Sequence, residues 1–204
     1  MDDHPIVRKG LRNILKEYPV AVAVEEASSG HEALAKVAET RFDMVLLDIS
    51  MPQMDGLETL ERLRKLNPSL PVLMLTVYPE EEYAVRALKT GASGYMTKQA
   101  APDELFVAIR KVLKGGRYIS PSLADILATD VASKTEKTFH ETLSNREFIV
   151  MKMIASGKSL KEIAAELSLS PKTVSTYRSR ILNKVHVRSN AELVRYCLKH
   201  KLLP

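Results

Sequence analysis

Residues 43–48 read Asp-Met-Val-Leu-Leu-Asp, four consecutive apolar residues closed at each end by a carboxylate. So short and unbroken an apolar run is the pattern of a strand covered on both faces, as in a parallel sheet. The constraint lies in Asp48: a carboxylate at the end of such a strand costs desolvation unless a cation or hydrogen bonds compensate it. Val20–Glu25, Val72–Thr76 and Gly94–Lys98 read as three more short strands, with helical periods between them. One period begins near Pro5. One follows Ser29, with Glu32 as its capping-box partner, and others follow Asp55, Pro79 and Pro102-Asp103-Glu104. Strand–helix alternation predicts a parallel α/β sheet with helices on both faces. Chemistry in such a sheet gathers at the C-terminal ends of the strands.

The pattern breaks after about Ser120. A short helical start, Pro121–Leu127, leads into a Ser-, Thr-, Lys- and Asp-rich stretch that reads as a flexible linker. Beyond it the chain is all helix. Ser144…Glu147, Ser159…Glu162 and Ser189…Glu192 are three S-x-x-E capping boxes, Ser170-Pro171 is a fourth helix start, and Gly157 ends the first of these helices. Charge divides along the same line. Residues 1–137 carry 18 Lys+Arg against 20 Asp+Glu, a net −2, and residues 138–204 carry 12 against 5, a net +7. A small basic domain behind a near-neutral one fits a polyanion partner, and equally a solvated basic surface. No apolar run approaches the roughly 20 residues of a membrane span, and Met1-Asp2-Asp3-His4-Pro5 lacks the apolar core of a signal peptide. Cys197 is the only cysteine, so no internal disulfide forms within the chain, and a cytoplasmic location is expected.

Asp2, Asp3 and Asp48 converge on one sheet edge if the strands run as predicted. Three carboxylates there suit a hard divalent ion such as Mg2+. Lys98 ends the last strand and Thr76 the one before. An acid pair, a nucleophilic carboxylate, a hydroxyl and a lysine suit phosphoryl transfer to a carboxylate. Singly, each is explained as a solvated terminus, an ordinary strand threonine or a surface lysine; together, at strand ends, they favour a site.

The stretches Asp2-Asp3-His4-Pro5, Leu46 to Gly56, Leu75-Thr76 and Gly94-Tyr95-Met96-Thr97-Lys98 resemble the receiver domain of NarL/FixJ response regulators, over residues 2 to about 119. The resemblance implies a flavodoxin-like, doubly wound parallel fold. It implies Asp48 as phosphoacceptor, and Asp3 and Asp48 as Mg2+ ligands with Asp2 acting through water and the Ser50 carbonyl completing the set. Thr76 and Lys98 would hold phosphoryl oxygens, and Tyr95 matches the aromatic switch residue, a position that a plain core-edge tyrosine also fills. Family members carry an apolar strand ahead of the acid pair, whereas Met1 stands immediately before it here. The first strand is therefore expected to be missing from the sheet, leaving backbone groups of its neighbours without partners and weakening both receiver and metal site.

In the C-terminal part, Leu160 to Leu167, the turn Ser168-Leu169-Ser170 and a helix from Pro171 to about Val185 outline a helix-turn-helix. Val174, Ile181, Leu182 and Val185 form its apolar stripe, opposite Lys172, Ser175, Thr176, Arg178 and Ser179. Leu143 to Glu147, Ile154 to Ser159, Lys161 to Ala164 and Leu169 to Arg178 resemble the LuxR-type domain of the same family, over about 142–199. By position, Lys172, Ser175, Thr176 and Ser179 are expected at base edges or in the groove, and Arg178, Arg180 and Lys184 at phosphates. Many relatives have lysine where Ser175 and Ser179 stand, so readout here is expected to use shorter contacts, water or DNA shape. The resemblance also implies a dimer contact on the last helix, Ala191–Leu198; Cys197 reads as a small buried hydrophobe. The five histidines show no ligand spacing.

The expected protein is a transcription regulator and not an enzyme. It has a receiver (1–119), a linker (120–141) and a four-helix LuxR-type DNA-binding domain (142–204). A sensor histidine kinase phosphorylates it, and a homodimer binds double-stranded DNA. Two alternatives remain at this point. An aspartyl-phosphate hydrolase needs a second acid two residues after the nucleophile, where this chain has Ser50. A DNA-binding protein with a degenerate, unphosphorylated receiver is the other.

Overall fold

The computed structural model describes residues 1–18, 23–132, 139–200 and 202–203. The chain forms two compact units, Met1–Ile126 and Leu127–Pro204.

In the first unit, β1 (Val45–Leu47), β2 (Val72–Thr76) and β3 (Gly94–Thr97) form a parallel sheet in that order, with Val45 opposite Val72 and Met74 opposite Tyr95. The helices are α1 (Pro5–Lys16), α2 (Gly30–Glu39), α3 (Gly56–Leu66), α4 (Glu80–Thr90) and α5 (Pro102–Leu113). Alternation along β2 sends Leu73 and Leu75 to one face, where they meet Met96, Leu105, Ala108, Ile109 and Val112, with Leu11, Ile14 and Leu15 of α1 packed against them. Leu57, Leu60, Leu63, Ala84 and Ala87 supply the buried sides of α3 and α4.

The strand expected over Val20–Glu25 does not appear at Ala23–Glu25, and Val20–Val22 lie outside the described residues. A strand forms only where its backbone groups find ladder partners, and among the described residues Ala23–Glu25 find none. Beside β1 the Met1 ammonium donates to Leu46 O at 2.9 Å, Asp48 N donates to Met1 O at 3.1 Å, and Asp2 N donates to Ala27 O at 3.2 Å. These contacts place Asp2 beside Asp48.

Two glycines are required by close backbone approach. A Cβ on Gly56 would stand 2.0 Å from Asp48 O, and one on Gly94 2.8 Å from Tyr118 O. The first lets the start of α3 close over the end of β1, where Gly56 N donates to Ile49 O at 2.9 Å. The second admits Tyr118 as a parallel bridge on β3.

Helix α6 (Pro121–Ala132) runs five residues past the expected stop at Leu127. No glycine or proline interrupts Ala128 to Ala132, so nothing ends the helix there. A 3-10 turn, Phe139–Thr142, precedes α7 (Asn145–Ala155), α8 (Leu160–Glu166), α9 (Pro171–Val185) and α10 (Asn190–Lys199). Helix α7 is the bundle's centre, buried from Arg146 to Ala155. The capping boxes at Ser144 and Ser159 form in full. At Ser29 and Ser189 only the serine half forms, because Glu32 accepts from Ser28 N and Glu192 from Arg188 N instead. Ser170 caps α9 by accepting from Thr173 N at 3.0 Å. Among the described residues no helix is long and apolar enough to cross a membrane.

Candidate functional site

The acid pocket is built from three chain segments. Asp48, 1% exposed, sits one residue past β1, and its Oδ1 accepts from Ile49 N at 2.7 Å. Lys98 follows β3, and its Nζ lies 2.7 Å from Asp48 Oδ2 and 2.5 Å from Asp2 Oδ2. Only the Asp48 contact has hydrogen-bond geometry; the Asp2 contact is an ion pair. Thr76 closes β2, fully buried, and its backbone carbonyl accepts from Lys98 N at 2.7 Å. Its hydroxyl makes no well-formed hydrogen bond, yet stands close enough to Asp48 to favour the ionised carboxylate. Asp2, Asp48, Thr76 and Lys98 are thus brought together as the sequence predicts.

Asp3 stands at the rim. It is about a quarter exposed, with Oδ1 2.8 Å from His4 Nδ1. His4, one of the five histidines without ligand spacing in the sequence, has a ring nitrogen within 4.8 Å of oxygens of Asp2 and Asp3. Its role in the cluster follows from adjacency alone, and its N–H also caps Asp2 Oδ1 at 2.9 Å. Arg8 of α1 donates to the Asp2 carbonyl at 2.7 Å, a contact that no motif announces. Ser50 lies half-buried in the loop after Asp48.

Burial pushes the Asp48 carboxyl up, Asp2 adds to that, and Lys98 opposes it. Burial also lowers the Met1 ammonium, against the pull of Asp2 and Asp48. Lys98 is raised overall: burial lowers it, and its attraction to Asp2 and Asp48 more than compensates. One lysine is shared by two buried carboxylates, with a third at the rim. Asp2 Oδ2 and Asp3 Oδ1 are buried carboxylate oxygens without a hydrogen-bond partner among the described residues, the kind of donor a hard divalent cation takes. Tyr95 is fully buried, and its hydroxyl donates to Tyr78 O at 3.0 Å and Pro79 O at 3.4 Å, gripping the loop between Thr76 and α4.

In the second unit, α8, the turn Ser168–Ser170 and α9 form the helix-turn-helix. Val174, Ile181, Leu182 and Val185 are buried, and Lys172, Ser175, Thr176, Ser179, Arg180 and Lys184 are exposed. Two of the expected phosphate contacts are engaged within the domain. Lys184 Nζ donates to Glu147 Oε2 at 2.7 Å, and Arg178 Nε donates to Asn190 Oδ1 at 2.6 Å. Two hydroxyls bond back along the helix, Thr176 to Lys172 O at 3.0 Å and Ser179 to Ser175 O at 3.1 Å. In α10, Leu193 and Cys197 are buried and close the bundle, and burial raises the Cys197 thiol to about 11.

A parallel α/β unit with an acid pocket at its strand ends, followed by a helix-turn-helix bundle, defines a two-component regulator. Residues 1–110 match the family described as "Response regulator receiver domain", and residues 141–197 match "Bacterial regulatory proteins, luxR family". The chain is 38% identical over 204 residues to the response regulator UvrY of Escherichia coli strain K12, covering 99% of this chain and 93% of that protein. It is equally similar, at 38% over 204 residues, to the response regulator GacA of Pseudomonas viridiflava, covering 100% and 95%. Among solved structures, RcsB from Salmonella enterica serovar Typhimurium bound to promoter rprA with the phosphomimetic BeF3- aligns with a TM-score of 0.64 at 26% identity, covering 96% and 94%. The response regulator ChrA of a heme-sensing two-component system aligns at 0.52 and 32% identity, covering 98% and 95%. The chain belongs to the NarL/FixJ family of response regulators, with a receiver domain and a LuxR-type output domain.

Proposed function

We propose that Asp48 accepts a phosphoryl group from the phosphohistidine of a sensor kinase, and that this controls binding of the C-terminal domain to double-stranded DNA. The observation that carries the reading is the buried Asp48 carboxylate 2.7 Å from Lys98 Nζ, beside Asp2 and Thr76. An Asp48 oxygen attacks phosphorus as the donor's P–N bond breaks, and the bond pair leaves with the imidazole. The Lys98 ammonium and the Thr76 hydroxyl then hold phosphoryl oxygens, the first by charge and the second by a hydrogen bond. Asp3, Asp48 and the Ser50 carbonyl, with Asp2 behind, would hold Mg2+, which would supply positive charge against the phosphoryl oxygens. Thr76 and Tyr95 then bias the β2–α4 loop between two arrangements.

The receiver extends over 1–119, the connecting segment over 120–141 and the DNA-binding domain over 142–204. Lys172, Ser175, Thr176 and Ser179 face the groove, with Arg178, Arg180 and Lys184 at the backbone. A structure of RcsB with DNA, and one of two RcsB dimers on two parallel DNAs, support a dimer on DNA. The protein acts in the cytoplasm as a transcription regulator and not as an enzyme.

The test is intact mass after incubation with a small phosphodonor and Mg2+. The wild type gains one phosphoryl group and Asp48→Asn gains none. Full modification of that variant refutes the assignment.

A further inference from the structure

Away from the acid pocket, one polar cluster ties the β2–α4 loop to the start of α6. Glu80 is the first residue of α4. Ser120 Oγ lies 2.7 and 2.8 Å from its two carboxylate oxygens, sharing one proton between them, and Ser122 Oγ donates to Oε2 at 2.6 Å. Ser120 is 9% exposed and also caps α6, accepting from Leu123 N at 3.1 Å. The chain leading to it is fixed in turn. Tyr118 N donates to Ser93 O at 2.9 Å, and Tyr118 Oη donates to Glu104 Oε1 of α5 at 2.5 Å. The loop before Glu80 is the one gripped by Tyr95, and only Val77, Tyr78 and Pro79 separate Glu80 from Thr76. The carbonyls of Tyr78 and Pro79 are therefore held from β3, and the next side chain from α6.

We propose that Glu80, Ser120 and Ser122 form a latch through which the state of the phosphorylation site reaches α6. It rests on the reading of Asp48 and Tyr95 given above. A movement of Thr76 toward a phosphoryl group on Asp48 is passed along three residues to Glu80. Hydrogen bonds to a carboxylate are short and directional, so a small displacement of Glu80 breaks them. Helix α6 begins in the first compact unit and ends in the second, so its first turn is the part of the connection that the receiver holds directly. By linkage, releasing α6 and modifying Asp48 favour the same state.

The test uses the full chain and hydrogen–deuterium exchange over residues 121–126, with intact mass measured in parallel. Glu80→Gln weakens every bond in the latch. Ser122→Ala removes its bond to Glu80 and its contact with Ser120, so it loosens the carboxylate that holds the Ser120 cap; it stands at an exposed position and serves if the first variant does not fold. In the wild type, acetyl phosphate with Mg2+ is expected to speed exchange of the Leu123 and Ala124 amides about tenfold, the scale of one lost hydrogen bond to a charged group. In either variant that exchange is expected to be fast without phosphodonor, and to change less than about twofold when it is added. Exchange at the wild-type rate in the unmodified variants overturns the latch. So does an equal response to phosphodonor in wild type and variants while the mass shows full modification. Absence of added mass in the wild type overturns the reading of Asp48 instead.

Discussion

Lys184 presents a choice between two roles, and replacing it by methionine separates them. Its ammonium lies 2.7 Å from Glu147 Oε2, which also accepts from Ser144 N at 2.8 Å as half of the α7 capping box. Glu147 is only 4% exposed. Burial alone would raise its carboxyl, but the bonds from Lys184 and Ser144 outweigh burial and hold it below the usual carboxylate range. Lys184→Met keeps the aliphatic stem and leaves the carboxylate with its backbone donor only. A hydrogen bond to a charged group contributes about 1.5–3 kcal/mol. Because the Lys184 side chain is 41% exposed, solvent screening reduces this to about 1–2 kcal/mol. For a unit of this size that is roughly 5–10 °C in the unfolding temperature of the C-terminal transition. The sign with pH follows from the lowered carboxyl. The stabilisation is present above the unfolded-state pKa near 4.5 and is lost as pH falls through the folded value. The variant is therefore expected to show its deficit at pH 7 and to converge with wild type in acid. The assay is thermal unfolding of Lys184→Met, Glu147→Gln and the double variant, with a salt titration of DNA binding on each. Additive single effects would refute the pairing. A wild-type unfolding temperature combined with a salt slope reduced by about one would show that Lys184 serves phosphate and not Glu147.

Arg180→Ala should weaken binding to cognate and scrambled duplexes alike and lower the salt slope by about one, whereas Ser175→Ala should leave the slope and change base preference by about 1–3 kcal/mol. Equal weakening of both duplexes by Ser175→Ala would show that α9 does not read bases. Asp3→Ala should reduce Mg2+ affinity, measured by calorimetry, because the rim oxygen is lost while the Asp2–Lys98–Asp48 group survives. Gly56→Ala should destabilise the receiver by about 2 kcal/mol or more in denaturant unfolding, since its methyl group would meet Asp48 O at 2.0 Å.

The strands that proved legible were those with a sheet partner. Val72–Thr76 matched to the residue because it is central and covered on both faces, while Ala23–Glu25 join no ladder among the described residues. Strand pairing is a tertiary event, and no local pattern records which neighbour a strand will find. Asp48, Thr76 and Lys98 were readable because each ends an apolar run. Glu80 with Ser120 was not: 40 residues separate them, and neither glutamate nor serine is unusual at a helix start. Likewise the sequence marks Lys184 as a basic residue on an outward face without showing that Glu147, 37 residues earlier, already engages it.

The hydroxyls of α9 carry a consequence for how such a regulator diverges. Thr176 and Ser179 spend their protons on carbonyls one turn back and offer the outside only lone pairs. They suit partners that donate, such as the exocyclic amines of adenine and cytosine. Neither residue packs in the core, and surface substitutions of this kind cost little stability. The preferred operator can therefore drift through these positions over evolutionary time while the fold stays fixed, a freedom that Lys184, bonded to the α7 cap on the same helix, does not share.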